Sequence, residues 1–213
     1  MMVGIIGTVV SIVGVDMKIL NLYAGIGGNR KLWGDEHEIT AVEYDENIAN
    51  FYKESYPKDN VIVTDAHEYL RINYENYDFI WSSPPCPSHS KIRQMVGLKK
   101  GAEPIYPDMK LYEEIIFLKH HFKGLWLVEN VIPYYKPLIE ATKLSRHLFW
   151  SNFTINDQEF EEVKIRWSNK ISDLENYHKI YIANTKLKEK RQLLRNCVFP
   201  KLGKYILDEA IND

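Results

Sequence analysis

In SSPPCPSHS, Ser82 to Ser90, a cysteine follows two prolines and precedes a polar loop. The prolines fix the backbone and remove two N–H donors, so Cys86 occupies a corner rather than a helix interior or a central strand. Two readings of that thiol stand: a nucleophile presented on a rigid turn, or a small apolar residue packed into one. A second set of residues has the makings of a ligand site. YAGIGGN puts Gly25, Gly27 and Gly28 in one turn, where backbone approaches a ligand closely and takes φ > 0 without strain. Such a turn binds a nucleotide or merely makes a tight corner. Glu43 has the two oxygens that the ribose hydroxyls of an adenosine require. Tyr44 has a ring to stack on the adenine face, and Asp65 an acceptor for its exocyclic amine. Each has a plainer alternative: Glu43 as a helix-start acid, Tyr44 as core, Asp65 as the N-cap of AHEYL.

The elements that must position these residues alternate. MKILNLYAG reads as a buried strand running into the glycine turn, followed by strands in EITAVEYD, VIVTDA, YDFIWSSPP, GLWLVENV and HLFWSNFTI. A helix-like stretch runs through Lys31, Leu32 and Trp33. ENIANFYKESYP carries Ile48, Phe51 and Tyr52 at helical spacing with Pro57 beyond its end, and EEIIFLKHHF is an amphipathic helix. Strands alternating with helices imply an α/β fold with a mostly parallel sheet and right-handed crossovers. In such sheets ligands sit beyond the carboxyl ends of the strands. Those ends carry Tyr23 to Gly28, Glu43, Asp65, Pro84 to Cys86, and Glu129-Asn130. The coincidence favours adenosine binding at the first three and a functional Cys86 at the fourth. Residues 153–190 lose the alternation and are expected to form a small excursion from the sheet.

The 213 residues suffice for one domain with a sizeable core, and 45% hydrophobic with 26% charged residues is a globular composition. The formal net charge of -2 announces no polyanionic partner. Locally, however, Lys179, Lys186, Lys188, Lys190, Arg191, Arg195, Lys201 and Lys204 stand against one acid, Glu189. That run suits a phosphate backbone or a solvated helix face. Two cysteines, Cys86 and Cys197, are too few for a disulfide scaffold and suit a reducing, cytoplasmic setting. No Cys or His pair has metal-ligand spacing. Residues 1–16 are apolar but shorter than the ~20 residues a bilayer span needs, and they lack a signal peptide's basic start and cleavage site. They read as an extension preceding the fold, from an upstream start codon, with contact to a membrane as the lesser reading.

With these motifs in order, the sequence resembles the cytosine-5 DNA methyltransferase family. NLYAGIGGN resembles its S-adenosylmethionine-binding turn, VEYD its ribose-and-adenine element, TDA its adenine-amine element, SSPPC its Pro-Cys nucleophile motif, and VENV its Glu-Asn-Val motif. LLRNCVFPKLG resembles the last family motif, whose asparagine and valine help close the cofactor site. The resemblance covers most of residues 17–152 and about 191–207. It implies a Rossmann-like S-adenosylmethionine-dependent methyltransferase fold with helices on both faces of the sheet. Its cofactor residues would be Tyr23, Ala24, Gly25, Gly27, Gly28, Glu43, Tyr44, Asp65, Pro85, Asn196 and Val198. Its catalytic residues would be Cys86, Glu129 and Arg146.

The implied chemistry explains the residue types. Thiolate addition to carbon 6 of cytosine makes carbon 5 enamine-like. A protonated Glu129 neutralises charge at ring nitrogen 3, which requires a raised pKa. A thiol near its ordinary pKa of ~8.5 is a few per cent ionised at neutral pH and still strongly nucleophilic. Asn130 is expected to orient the local loop. Arg146 is expected to meet the cytosine carbonyl oxygen. Pro87 to about Gly101, with Lys91 and Arg93, is expected to be a mobile loop closing over a flipped-out base. The implied partner is double-stranded DNA, with no metal and a monomeric enzyme. Three departures accompany the resemblance. LSRHLFW stands where the family has Gln-x-Arg-x-Arg, with Arg146 and His147 as substitutes. Pro87 replaces the glutamine after the nucleophile. The recognition region is reduced to residues 153–190 of a single domain spanning 17–213. An RNA cytosine methyltransferase and a non-catalytic cofactor-binding module are the alternative functions.

Overall fold

Runs such as KILNL, FIWS and LWLVENV are apolar almost throughout, as strands of a parallel sheet covered on both faces must be. In the computed structural model Phe79–Ser82 is buried at every position. The structure describes residues 16–91, 93–97, 101, 103–160 and 169–213. Seven strands form one sheet: β1 (Lys18–Leu22), β2 (Glu38–Glu43), β3 (Asn60–Val63), β4 (Phe79–Ser82), β5 (Leu125–Val131), β6 (Thr142–Leu144) and β7 (His147–Ser151). Their order is β3-β2-β1-β4-β5-β7-β6. The first five are mutually parallel, and β7 runs antiparallel to its neighbours β5 and β6. The chain thus steps outward from β1 to β3, returns to place β4 beside β1, and continues the other way. That reversal opens a crevice at the carboxyl ends of β1 and β4, the place where open α/β sheets bind ligands. The fold is the expected α/β, Rossmann-like one.

Helices cover both faces, and the two-residue period of the strands divides the core between them. Ile19, Ile39, Phe79, Trp81 and Leu127 point toward α6 (Pro200–Asn212), meeting Leu202, Ile206 and Leu207. Ala41, on the same face, packs on Tyr52 of α1 (Glu46–Ser55). Leu20, Leu22, Val42, Ile80 and Val128 point to the other face. There they meet Leu70 of α2 (Ala66–Asn73) and Ile115 and Leu118 of α3 (Lys110–His121).

Two features fix the glycine turn after β1. The stretch read as helix-like is a single 3-10 turn, Arg30–Leu32. From it Arg30 donates through Nε and Nη2 to the two oxygens of buried Asp59, at 2.9 Å each. Tyr52 donates its hydroxyl to the same carboxylate at 2.8 Å. A buried bidentate pair with a further donor on its carboxylate holds geometry well, and breaking one costs about 3–5 kcal/mol. The second feature is the segment after β7. α4 (Ile171–His178) and the chain behind it bring Leu174, Ile180, Ile182 and Leu187 against Ile26 of the turn and Leu194 of α5 (Lys190–Asn196). Glu175 holds that chain by accepting from the backbone N–H groups of Ile182 and Ala183, at 2.5 Å each. The described part of 153–190 therefore packs on the glycine turn and α5, and 161–168 lie outside the described residues. So does all but Asp16 of the expected extension at residues 1–16. Among the described residues no helix is long and apolar enough to cross a membrane.

Candidate active site

The crevice is a cleft of about 540 Å³, within the range of about 300–1,000 Å³ common to small-molecule sites. One end is built from the first three strand ends. Gly25 lies in the left-handed region at φ 54°, and its N–H donates to Glu43 Oε2 at 2.9 Å. Glu43 Oε1 accepts from Asp45 N at 3.0 Å. A carboxylate has about four lone-pair sites, so both oxygens keep capacity for a ligand. Tyr44 is 77% exposed at the cleft edge rather than core. Asp65 is the N-cap of α2, accepting from Glu68 N at 3.1 Å, and it lines the cleft as well. Its structural and ligand-facing roles coexist.

Gly27 and Gly28 do not line the cleft; they permit the turn. Gly27 has φ 75°, and a Cβ there would lie 2.3 Å from the Tyr56 ring. At Gly28 a Cβ would lie 2.1 Å from Cys197 Sγ and 2.5 Å from the Val198 carbonyl oxygen. The α5–α6 junction thus rests directly on the turn, and Asn196 and Val198 close the cleft from about 170 residues along the chain.

The other end holds Pro84, Pro85, Cys86, Glu129, Asn130 and Arg146. Asn130 ties the Pro84–Cys86 corner to β5, donating through Nδ2 to the Pro84 carbonyl at 2.9 Å. Its Oδ1 accepts from Val131 N at 2.9 Å. Glu129 is 6% exposed, and burial raises its carboxyl to about 7 against the opposing pull of a Ser83 hydrogen bond and the Arg146 charge. Burial and then the Glu129 charge push the Cys86 thiol up to about 11. The expected few per cent of thiolate is therefore corrected downward. Arg146 sits in the β6–β7 turn after Ser145, whose φ is 55°. Its Nη2 donates to the carbonyls of Arg195 at 2.8 Å and Cys197 at 3.1 Å. It braces the cofactor-closing segment while its charge acts on Glu129. His147 Nε2 lies 3.6 Å from Glu129 Oε1. This is no ion pair, because burial and the adjacent Arg146 hold the imidazole down at about 3.

Residues 17–133, more than half of the chain, match the C-5 cytosine-specific DNA methylase family. The chain belongs to that family. Its chemistry is methyl transfer to cytosine, with S-adenosylmethionine as the donor. The cleft fits that cofactor: a glycine turn, an acid with free lone pairs, an exposed ring and a second acid succeed one another along one wall. In three dimensions the methylase is similar to yhhF of Escherichia coli, at 17% identity and TM-score 0.41 over 64% of this chain and 75% of that one. It is also similar to the SAM-dependent methyltransferase from Agrobacterium tumefaciens, at 14% identity and TM-score 0.41 over 57% and 40%. These likenesses add nothing to what the sheet order establishes. No curated protein matches the chain.

The methylase brings Cys86, Glu129, Arg146, Tyr23, Ala24, Gly25, Glu43, Tyr44, Asp65, Pro85, Asn196 and Val198 to one cleft. The loop expected to be mobile from Pro87 is pinned at its start. Ser88 Oγ accepts from Asp108 N at 2.9 Å, and His89 Nδ1 is 2.6 Å from the Tyr135 hydroxyl. Ile92, 98–100 and Ala102 lie outside the described residues. Sequence reasoning missed Ser83, Asp108 and Lys110, all in the cleft wall, and it missed buried Glu114. For Glu114 a signal existed: it is the acid on the apolar face of α3. Among the described residues no group of three or more His, Cys, Asp or Glu is placed to hold a metal ion.

Proposed function

We propose that this methylase modifies carbon 5 of cytosine in double-stranded DNA through a covalent bond from Cys86 to carbon 6 of a base turned out of the helix. Residues 17–213 act as one domain with 153–190 as its reduced recognition segment. The observation that carries the reading is the shared cleft: Cys86 and Glu129 line the same cavity as Glu43, Asp65 and the glycine turn. Bound there, S-adenosylmethionine supplies an electrophilic methyl group on a sulfonium.

Cys86 Sγ bonds to carbon 6, and the displaced π pair is accommodated as Glu129 gives its proton to ring nitrogen 3. Carbon 5 then takes the methyl group, whose bond electrons remain with the departing sulfur. A solvent-derived base removes the carbon 5 proton, the carbon 5–carbon 6 double bond re-forms, Glu129 regains its proton, and Cys86 leaves as thiolate. Asn130 keeps the Pro84–Cys86 corner in register with Glu129. Arg146, with three N–H groups beyond the two on its Nη2, receives the cytosine carbonyl oxygen. Turning out the base costs a few kcal/mol, and the basic run from Lys179 to Lys204 contributes phosphate contacts.

Incubation with radiolabelled S-adenosylmethionine and a panel of duplex DNA, single-stranded DNA and RNA tests the reading. Label at cytosine carbon 5 of duplex DNA is expected. Label confined to RNA, or none on any substrate, overturns it.

A further inference from the structure

Glu114 is an acid on the buried face of α3, sharing that face with Leu111, Ile115 and Leu118 and only 1% exposed. A carboxylate there must be compensated. Its Oε1 accepts from the Tyr23 hydroxyl at 2.5 Å and from His67 Nδ1 at 2.9 Å, and its Oε2 accepts from Ser82 Oγ at 2.5 Å. The donors come from three elements that meet at the reversal of the sheet. Tyr23 is the first residue after β1 and lines the cofactor cleft. Ser82 is the last residue of β4, directly before the corner that carries Cys86. His67 is in the first turn of α2, behind Asp65 and Ala66 of the cleft wall. Tyr23 is also a non-glycine residue at φ 56°, a conformation that costs of order 1–3 kcal/mol and persists only where its surroundings fix it.

We propose that Glu114 is a positioning residue for the cofactor, locking the turn that receives the methyl donor to the strand end that presents the nucleophile, with protonated His67 as its counter-charge. This rests on the proposed cofactor site. The imidazole is placed for that role: Nδ1 faces Glu114 and Nε2 lies 3.4 Å from Glu113 Oε2. Two ring nitrogens that each face a carboxylate are satisfied only when both carry hydrogen. The hydrogen bond to Glu114 raises the His67 pKa above its ordinary value, against the effect of burial and of Lys110. Asp65 and Asp108 are the further charges facing Tyr23. A raised folded-state pKa means that the lock is complete below about 6.5 and is lost as pH rises through the raised value. Cofactor affinity falls in the same direction.

Calorimetric titration of the full chain with S-adenosylhomocysteine at pH 6.0 and 8.5 tests this. The ligand's own amino group titrates identically with every variant, so the reading is the difference between variants. Wild type is expected to lose about tenfold more affinity between the two pH values than His67→Gln, which keeps one N–H toward Glu114 but cannot titrate. Tyr23→Phe, which removes one hydroxyl, is expected to weaken binding severalfold at pH 6.0. Glu114→Gln is expected to weaken it at both pH values and to flatten the difference. Equal pH dependence in wild type and His67→Gln, or undiminished binding by Tyr23→Phe, overturns the proposal while leaving the cofactor site standing. No binding by wild type at either pH overturns both.

Discussion

Burial raises Glu129 to about 7 and Cys86 to about 11, yet the proposed adduct step needs the carboxyl protonated and the thiol ionised. Both groups therefore react in the form opposite to the one that dominates between those values. The reactive arrangement has the same proton count as the dominant one and is a minor fraction of it. Its population grows with pH up to about 7 and is then level until the thiol itself titrates, with both midpoints belonging to the pair. The rate of adduct formation should follow that curve. In Glu129→Gln the lower midpoint should vanish, the rate should climb with thiolate across the accessible range, and at pH 7 it should fall by about 10²–10⁴-fold, the usual contribution of a general acid. Stopped-flow rates across pH 5.5–9 would separate the two behaviours. At the cofactor end, Glu43→Ala removes the acceptor for Gly25 N and Asp45 N together with the ribose contact. It should cost about 1.5–3 kcal/mol of S-adenosylmethionine affinity, and calorimetry that finds parental affinity would remove Glu43 from the site.

At the scale of elements, the site depends on segments holding one another at short range. Asn130→Ala removes the bond from β5 to the Pro84 carbonyl. It should leave cofactor binding intact, slow adduct formation, and lower stability by about 1–3 kcal/mol as the buried carbonyl loses its donor. Gly28→Ala forces a methyl group into Cys197 Sγ and the Val198 carbonyl. It should weaken cofactor binding, and adding Cys197→Ala should restore only part of the loss because the backbone contact remains; parental affinity in Gly28→Ala alone would mean the α5–α6 junction is not what closes the site. Much of this frame was legible in the sequence, since doubly covered parallel strands are apolar runs and each leads into residues that line the cleft. β6 escaped notice because Thr142–Leu144 is a short edge strand with two exposed positions. α4 escaped because Glu175 and His178 share its buried face with Leu174, which erases the apolar period. Glu114 was passed over for the same reason in reverse: its helix was recognised, and the acid on the apolar face was not asked for a partner.

For the molecule as a whole, charge is neutral on average and basic where nucleic acid would lie. Lys179, Lys186, Lys188, Arg191 and Lys201 are exposed, so binding should weaken as salt rises, and each charge removed should reduce the salt slope by about 1 if it meets phosphate. On the proposed reading, 153–190 is a reduced recognition segment with few groups to read base edges. Bisulfite sequencing of DNA modified in a heterologous host should therefore show a relaxed or very short target, and a long strict site would contradict the reduced recognition segment. The covalent route brings every part together and has one direct measurement. In duplex DNA carrying 5-fluorocytosine, methyl transfer proceeds but fluorine cannot leave as a cation, so the bond from Cys86 to carbon 6 persists. Wild-type protein with S-adenosylmethionine should give a denaturation-resistant adduct that maps to Cys86, is abolished in Cys86→Ser and survives Cys197→Ser. An adduct mapping to Cys197, or no adduct from a protein that binds both cofactor and DNA, would contradict the assignment of Cys86 as the nucleophile.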